Sequence, residues 1–415
     1  MRGSADALGP RLLAGAVGAL AVGARVGAWY ARGAAPADGA AEVIEHDLTS
    51  PLTAFRSIRE ARFLSLHGHG PYVGWHSRHP PLLMLPLAAA PEAVVLAVLI
   101  AADLLLGWLL LQLGGPSALA RRAGAALYLL SPPTARACAA LGTAPLGHAP
   151  LLAALLIARR GHAALAGAAL GVASYVAPDA TWMLPAAAMI VWRRARVGRP
   201  IVTLLGAWLA CTAALLALSR VALGDWSFFS AVYAFYVSAP DLAPNPGAWW
   251  YLLAQVFPPA RGSFVLAMHA IPALCLPPLA LRLRRSPLLA AALSYLIVVA
   301  FKPYPALPDL ALALGLISTQ LDRELLEYCR HVPLALGGML FALAIGPPLR
   351  ARWLEARGLN ANFYYAATLV LTSALALLAA DLAAAAIGRD VQQVEELAVH
   401  RLQRRWRGGK GRGMS

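Results

Sequence analysis

Charged residues are scarce in this chain. Only 13% of its 415 residues are charged, while 60% are hydrophobic. Soluble domains carry about 25% charged residues, so the shortage excludes a typical soluble fold and favours a membrane protein. Apolar runs that could cross a bilayer core of roughly 30 Å recur along the whole length, which leaves no room for a separate soluble domain. The sequence predicts one all-α integral membrane domain.

Lysine and asparagine are almost absent. The 35 basic residues include only two lysines, Lys302 and Lys410, and the only asparagines are Asn245, Asn360 and Asn362. In a chain with so strong a bias towards arginine and alanine, these exceptions are candidates for specific roles.

Cysteine is also rare. The four cysteines lie far apart, mostly in apolar stretches, and form no CxxC pair. This spacing argues against a disulfide framework. We expect buried thiols at Cys138, Cys211, Cys275 and Cys329.

The net charge of +15 comes largely from arginines in short blocks between apolar runs. In a soluble protein this charge would suggest nucleic acid, but in a membrane protein the pattern marks cytosolic turns. We therefore predict no nucleic-acid partner and place both termini in the cytosol. The blocks are Arg121-Arg122, Arg159-Arg160, Arg193 to Arg199, Arg282 to Arg285 and the tail after Arg389.

The apolar runs predict about twelve membrane-spanning segments. The first, Leu12 to Tyr30, has a weakly positive start and many spans after it, which favours a retained helix over a cleaved signal. Pro91 divides the run from Pro81 to Gly114 into a short piece and a full helix. Several of the others are shorter than the roughly 20 residues of a standard span, so they require burial against other helices or a cavity. The other predicted segments are Ala123 to Leu130, Ala144 to Ile157, Ala163 to Tyr175, Ala180 to Trp192, Ile201 to Leu223, Phe264 to Leu281, Pro287 to Phe301, Leu307 to Thr319, Pro333 to Pro347 and Tyr364 to Ile387.

This pattern divides the chain into a membrane domain, residues 1–388, and a basic cytosolic tail, residues 389–415. Two polar stretches predict luminal loops at about residues 31–80 and 225–263. The second of these loops is rich in aromatic residues, which are typical of a membrane interface.

The first polar stretch contains two groups that suggest chemistry. Glu42, Glu45 and Asp47 are candidates for the acids that a lipid-linked sugar transferase uses as a base or to hold a divalent ion. A solvated polar loop explains the same residues equally well. Histidines at this spacing can bind zinc, but no rigid element or carboxylate orients them, so we predict no metal and no cofactor. The histidines are His46, His67, His69, His76 and His79.

Three charged residues interrupt apolar sequence. Asp103 and Asp381 lie within predicted helices, and we expect them to face the bundle interior as contacts between helices. Lys302 lies between two segments and is followed by Asp309. It either extends its ammonium to the membrane surface or contacts a lipid phosphate there, and the sequence favours neither.

Asn360 and Asn362 are the sharpest local signal, just before the last span. Their amides can donate to and accept from sugar hydroxyls. They can also cap the helix that begins near Phe363, which residue chemistry alone favours. At the cytosolic face, four arginines set topology and, as a secondary role, can hold an anionic lipid headgroup: Arg194, Arg196, Arg199 and Arg284.

Three motifs follow one another closely in the second polar stretch: Asp225-Trp226-Ser227-Phe228-Phe229, Ala231-Val232-Tyr233-Ala234-Phe235 and Pro240-Asp241-Leu242-Ala243-Pro244-Asn245-Pro246-Gly247. They resemble the PIG-U family, the U subunit of glycosylphosphatidylinositol (GPI) transamidase. Further matches are Ser50-Pro51-Leu52, Pro71-Tyr72, Trp250-Tyr251, Phe301-Lys302, Tyr304-Pro305, Asp309, Asn360-Ala361-Asn362-Phe363-Tyr364-Tyr365-Ala366 and Asp381.

The resemblance implies an endoplasmic reticulum complex that removes a C-terminal signal from a proprotein and attaches a GPI lipid. This chain would be a non-catalytic, multi-pass subunit that binds and presents the lipid. Its architecture would be that of a lipid-linked glycosyltransferase of the GT-C type. The implied partners are a cysteine-protease-like catalytic K subunit, the T and S subunits and a GAA1-type subunit, with phospholipid as a further ligand.

The resemblance also implies site residues. Asn360 and Asn362 would contact the GPI glycan, and Asp241, Asn245 and Lys302 would belong to the same GPI-lipid site. On the cytosolic face, Arg199 and Arg284 would bind anionic lipid.

Two other functions are compatible with this architecture. One is a dolichol-phosphate-dependent mannosyltransferase, which would need an acidic pair such as Glu45 and Asp47. The other is a scaffold that only holds other subunits together.

Overall fold

The computed structural model describes residues 5–34, 48–75, 77–115, 117–354 and 358–410. Side chains are described over residues 15–32, 48–74, 77–115, 117–354 and 358–396. All regular structure within these ranges is helical, which confirms the all-α prediction.

The first half of the chain forms a series of helices, and half of these helices have proline as their first or second residue. Proline is well suited to the first turn of a helix, where its missing N–H would have no partner. Pro91 immediately precedes a helix and separates it from a short one, as predicted. The helices are α1 (Ala5–Ala34), α2 (Phe55–Leu66), α3 (Pro81–Ala89), α4 (Glu92–Leu113), α5 (Ala118–Leu129), α6 (Pro132–Ala139), α7 (Ala144–Arg160), α8 (Ala163–Val176), α9 (Leu184–Ala195) and α10 (Arg199–Leu223), with short 3₁₀ turns at Val73–Trp75 and Pro178–Met183.

The second half begins with two short helices in the aromatic loop and continues with long apolar ones. The helices are α11 (Ser227–Ser238), α12 (Trp249–Gln255), α13 (Pro258–Arg282), α14 (Pro287–Phe301), α15 (Leu307–Gln320), α16 (Arg323–Glu327), α17 (Val332–Leu354) and α18 (Ala361–Lys410). The predicted tail boundary at residue 388 falls inside α18, which continues through it.

By length and composition, five helices within the described residues are long and apolar enough to cross a membrane. They are α4, α10, α13, α17 and α18. The prediction of about twelve spans counted shorter apolar segments as well, such as Ala163–Val176 and Pro287–Phe301. Only 6% of the residues in the most apolar stretch of α10 are buried, so this helix lies on the surface of the bundle.

The bundle has two opposite ends, at which the helices and their connecting loops contact one another. At the arginine end, defined by Arg121, Arg159 and Arg285, side chains from one helix reach the terminal carbonyls of another. Arg159 Nη1 donates to Gln112 O at 2.9 Å, and Arg285 Nη1 donates to Asp390 O at 3.3 Å. We call the opposite end, where Asn360 immediately precedes α18, the asparagine end.

Glycines bring helix backbones into direct contact. A Cβ atom added to Gly167 on α8 would lie 2.2 Å from Leu204 O on α10, and one on Gly171 would lie 3.0 Å from Trp208 O. A Cβ on Gly124 of α5 would lie 2.4 Å from the carbonyl oxygen of Gly315 on α15. Small residues at such positions let membrane helices pack closely.

A buried ion pair joins α1 to the bundle. Arg25 Nε donates to Asp103 Oδ2 at 2.7 Å, and both side chains are 1% exposed. The Tyr128 hydroxyl donates to Asp103 Oδ1 at 2.6 Å, and Arg25 Nη1 donates to Leu129 O at 2.8 Å. Asp103 is therefore a contact between helices, as predicted. Its partners offset the large cost of an ionised group inside an apolar bundle.

Asp381 also contacts another helix. Its carboxylate accepts the backbone N–H groups of Arg330, at 3.1 Å, and His331, at 2.8 Å, just before α17 begins. A carboxylate at a helix N-terminus satisfies free donors and complements the helix dipole. This arrangement confirms the expected packing role.

Candidate functional site

Lys302 lies inside a cluster of buried charges at the asparagine end. It directly follows α14, and its Nζ atom lies 3.0 Å from Asp179 Oδ2 and 2.7 Å from Asp309 Oδ2. The Lys302 side chain is only 9% exposed. The ammonium therefore does not extend to the membrane surface in this structure, because two carboxylates from other elements hold it inside.

His148 and Tyr295 extend this cluster. His148 Nε2 lies 2.9 Å from Asp309 Oδ1 and 3.0 Å from the Tyr295 hydroxyl. Asp309 Oδ2 also accepts the Ala306 backbone N–H at 2.8 Å, which caps α15. The cluster thus fixes α7, α14, α15 and the turn at Pro178–Met183 relative to one another.

A small cavity of about 30 Å³ lies beside these charges. A buried water needs a cavity volume of about 10–15 Å³, so this cavity has room for one or two waters. Its wall includes Thr53, Thr143, His148, Lys302 and Tyr236. The cavity is too small for a sugar.

The loop before α12 is shaped by Asp241 and Asn245. Asp241 Oδ1 accepts the Ala243 N–H at 2.9 Å. Asn245 is buried, accepts the Gly247 N–H at 2.8 Å and donates to Ala243 O at 3.3 Å. These side-chain contacts are typical of turns in which Asp or Asn replaces a backbone partner. Both residues therefore hold the loop in place beside the start of α18.

Asn360 and Asn362 lie exposed at the start of α18, which begins at Ala361. Asn360 Oδ1 accepts the Asn362 N–H at 3.1 Å, so Asn360 caps the helix. Asn362 Oδ1 accepts the hydroxyl of Tyr251. Within the described residues, neither Nδ2 group has a hydrogen-bond partner. The cap therefore uses the amide oxygens and leaves two donors exposed.

An aromatic cluster adjoins the two asparagines. The rings of Tyr251 and Tyr365 are 4.7 Å apart, and the Tyr365 hydroxyl donates to Ala248 O at 3.1 Å. Trp250 is buried beneath them and stacks on Trp353 with ring centroids 5.8 Å apart. The cluster joins α12, α17 and α18, so the asparagines sit on a rigid support.

Arg199 and Arg284 lie at the other end of the bundle. Arg199 is the first residue of α10, and Arg284 follows α13. Both side chains are exposed, and the structure does not bring them into the cluster around Lys302.

His79 is the histidine of the first polar stretch with the clearest structural role. Its Nδ1 lies 2.9 Å from Ser57 Oγ, and its Nε2 lies 2.9 Å from Thr143 Oγ1. Complete burial lowers its pKa to about 3, because desolvation disfavours the charged imidazole. His79 is therefore a neutral structural residue.

Other predicted residues of this stretch lie outside the described part of the chain: Glu42, Glu45, His46, Asp47 and His76. Among the described residues, no group of three or more His, Cys, Asp or Glu side chains is placed to hold a metal.

Sequence reasoning missed Asp179 and His148 as members of the buried cluster, and Tyr251 as the partner of Asn362. Asp179 follows Pro178 between two apolar segments, and an acid in that position is a signal that could have been used.

The matched family is described as GPI transamidase subunit PIG-U, and its model covers residues 39–371. The chain belongs to the PIG-U family. The matched region includes the asparagine pair, the charge cluster and the aromatic loop.

Individual relatives agree with this family. The mouse GPI-anchor transamidase component PIGU is 27% identical over 267 residues, covering 62% of this chain and 61% of the relative. The Saccharomyces cerevisiae GPI transamidase component GAB1 is 25% identical over 346 residues, covering 81% and 86%. A GAB1 homolog from Schizosaccharomyces pombe is 30% identical over 169 residues, covering 41% of each chain. The match spans about three-fifths of the length of the mouse and human PIGU relatives.

Proposed function

We propose that this PIG-U family member is a non-catalytic, multi-pass subunit of a GPI transamidase in the endoplasmic reticulum membrane. In this proposal it binds the GPI lipid and presents it for attachment to the C-terminus of a proprotein. The asparagine end faces the lumen and the arginine end faces the cytosol. The relatives named as GPI transamidase components support the proposal.

The observation that carries the binding role is the pair of exposed amide donors beside an aromatic wall. Asn360 and Asn362 use their oxygens for the cap and for Tyr251, and their Nδ2 groups point away from those bonds. Amide donors and aromatic faces suit a glycan, whose hydroxyls accept hydrogen bonds. The GPI glycan would therefore contact the bundle at the start of α18.

The remaining predicted residues have supporting roles in this proposal. Asp241 and Asn245 set the shape of the loop that borders the glycan. Lys302 would act as a positioning residue at the same end, because its ammonium is held inside the bundle by Asp179 and Asp309. The apolar helices, arranged as in a GT-C glycosyltransferase, would accommodate the acyl chains. The partners would be the K, T, S and GAA1-type subunits, with K supplying the catalytic cysteine.

The test is GPI anchoring of a reporter in cells that lack the native U subunit. The cells would express this chain, an Asn360→Ala/Asn362→Ala variant or an Asn360→Ser variant. Serine can cap the helix but has no amide donor. We expect both variants to assemble with the other subunits and both to lower anchoring, the double variant by about tenfold or more.

Each outcome has a distinct meaning. Full anchoring by Asn360→Ser together with loss in the double alanine variant would limit Asn360 to a capping role. Full anchoring by the double variant would contradict the proposed glycan site and favour a scaffold role for this chain. The mannosyltransferase alternative predicts instead that Glu45→Gln/Asp47→Asn abolishes function.

A further inference from the structure

An open cleft of about 600 Å³ lies at the arginine end. Its walls are the last turns of α4 and α7 and the first turn of α5. Three arginines line it, Arg121, Arg122 and Arg159, and no acidic side chain is among its described lining residues. A concave surface with three cations and no anion is suited to a ligand that carries negative charge.

Two of these arginines are held in position by backbone carbonyls. Arg159 Nη1 donates to Gln112 O at 2.9 Å and to Gly114 O at 3.3 Å. Arg121 Nη1 donates to Gly115 O at 2.6 Å. Gly114 makes room for the stem of Arg121, because a Cβ atom there would lie 2.1 Å from Arg121 Cγ. These contacts fix the guanidinium groups before any ligand arrives, which lowers the entropy cost of binding.

The third arginine and a helix terminus complete the electrostatics. Arg122 is exposed, and no described residue forms a hydrogen bond or ion pair with it. Ala118, the first residue of α5, also lines the cleft, and the first turn of α5 has no acidic residue. The positive end of this helix dipole therefore adds to the field of the arginines.

An apolar stripe lies on the face of α5 next to the cleft. Leu119 is 78% exposed, Leu127 is 41% exposed and Leu130 is 42% exposed. With Ala123, these residues recur every three or four positions, so they lie on one face of the helix. Leu119 lies one turn before Arg122 on α5, so the stripe borders the cleft there and runs along the helix away from the arginine end.

We propose that this cleft binds the phosphate of an anionic phospholipid, with the acyl chains lying along the stripe on α5. Arginine is well suited to phosphate because its planar guanidinium can donate two parallel hydrogen bonds. The adjoining apolar stripe favours a lipid over a soluble phosphate compound, which would gain nothing from it. This site is separate from the proposed glycan site and from Arg199 and Arg284.

The test uses the purified full chain in detergent, with bound lipid measured by native mass spectrometry. Phosphatidylinositol and phosphatidylcholine would be added separately. The cleft variants are Arg122→Gln and Arg122→Gln/Arg159→Gln. The matched control, Arg160→Gln/Arg193→Gln, removes two exposed arginines that do not line the cleft. Melting temperature in detergent checks that each variant is folded, and Arg122→Gln removes no described structural contact.

We expect the wild type to retain phosphatidylinositol and the double cleft variant to retain about tenfold less, while the control binds as the wild type does. Arg122→Gln alone should give a smaller loss in the same direction. Equal losses in the cleft variants and the control would overturn the proposal, because binding would then depend on diffuse charge. Equal retention of phosphatidylcholine would also overturn it. If glycerophosphoinositol displaced phosphatidylinositol completely, the lipid assignment would be overturned, and the cleft would bind a soluble phosphate compound instead.

Discussion

The two ends of the bundle keep their helices together in different ways. At the asparagine end, buried polar side chains from distant parts of the chain pair with one another, as Lys302 does with Asp179 and Asp309. Towards the arginine end, glycines let backbones touch, and most arginines remain exposed. An ion pair there, Arg389 with Asp322, is partly exposed.

This difference matters because the two kinds of contact respond differently to change. A buried charge that loses its partner is left without compensation, whereas an exposed arginine is already solvated or near lipid headgroups. The asparagine end should therefore be rigid and intolerant of substitution. At the arginine end, the exposed side chains should be replaceable and the glycine contacts should not.

Replacing Lys302 tests the rigid end most severely. Lys302→Met would leave two buried carboxylates without their cation, at a cost of roughly 3–5 kcal/mol of stability. We expect poor accumulation and a much lower melting temperature in detergent. Lys302→Met/Asp179→Asn should recover part of the loss. A variant as stable as the wild type would show that the cluster contributes little.

Gly167→Leu tests the close backbone contact between α8 and α10. A side chain there meets the Leu204 carbonyl and must push the helices apart, which should cost about 1–3 kcal/mol. The measurement is the melting temperature of the purified protein. Gly206→Leu is the matched control on α10, because an added Cβ atom there has no neighbour within 4 Å. Equal effects of the two changes would contradict close packing as the cause.

Acid should destabilise the asparagine end through His79. Its pKa is about 3 in the folded protein and near 6.5 when exposed, so the unfolded chain binds the proton first. The stabilising contribution is fully present above pH 6.5 and falls by up to about 1.4 kcal/mol for each pH unit between pH 6.5 and the folded pKa of about 3. His79→Gln should show a shallower dependence of melting temperature on pH. The same slope in both proteins would assign the effect to other groups.

Substitution of Arg199 and Arg284 should have the smallest effect on stability. Both are exposed, and Arg199→Gln/Arg284→Gln should change the free energy of unfolding by no more than about 0.5 kcal/mol. Their proposed role predicts less anionic lipid bound in native mass spectra at unchanged melting temperature. A large fall in stability would show that exposed arginines at this end are structural after all.

Local signals in the sequence were enough for much of the fold. Pro91 divided two helices as predicted, and the predicted segment Pro287 to Phe301 has the observed bounds. The number of spans was harder, because helices such as α8 are apolar but shorter than a standard span. Composition does not show whether such a helix crosses the bilayer.

In the candidate site, too, contacts between sequence neighbours were predictable and contacts between distant residues were not. The cap formed by Asn360 follows from residues that are neighbours in sequence, so its chemistry was predictable. The other contacts of the buried cluster were not, since Asp179 reaches Lys302 and His148 reaches Asp309 from more than a hundred residues away in sequence, through the packing of several helices. No periodicity or spacing in the sequence indicates such long-range contacts.

Helix α18 is 50 residues long, so at 1.5 Å per residue it is a rod of about 75 Å. A hydrocarbon core of roughly 30 Å accounts for less than half of that length. The asparagine pair is attached to one tip of this rod, so in the proposed orientation, with that tip at the luminal surface, the other end would extend well beyond the cytosolic face of the bilayer. Because the aromatic cluster holds the start of α18 against α12 and α17, a tilt imposed on the protruding part would move these elements together with the tip. The position of the two amides relative to the membrane is therefore set partly by whatever holds the far end of the same helix.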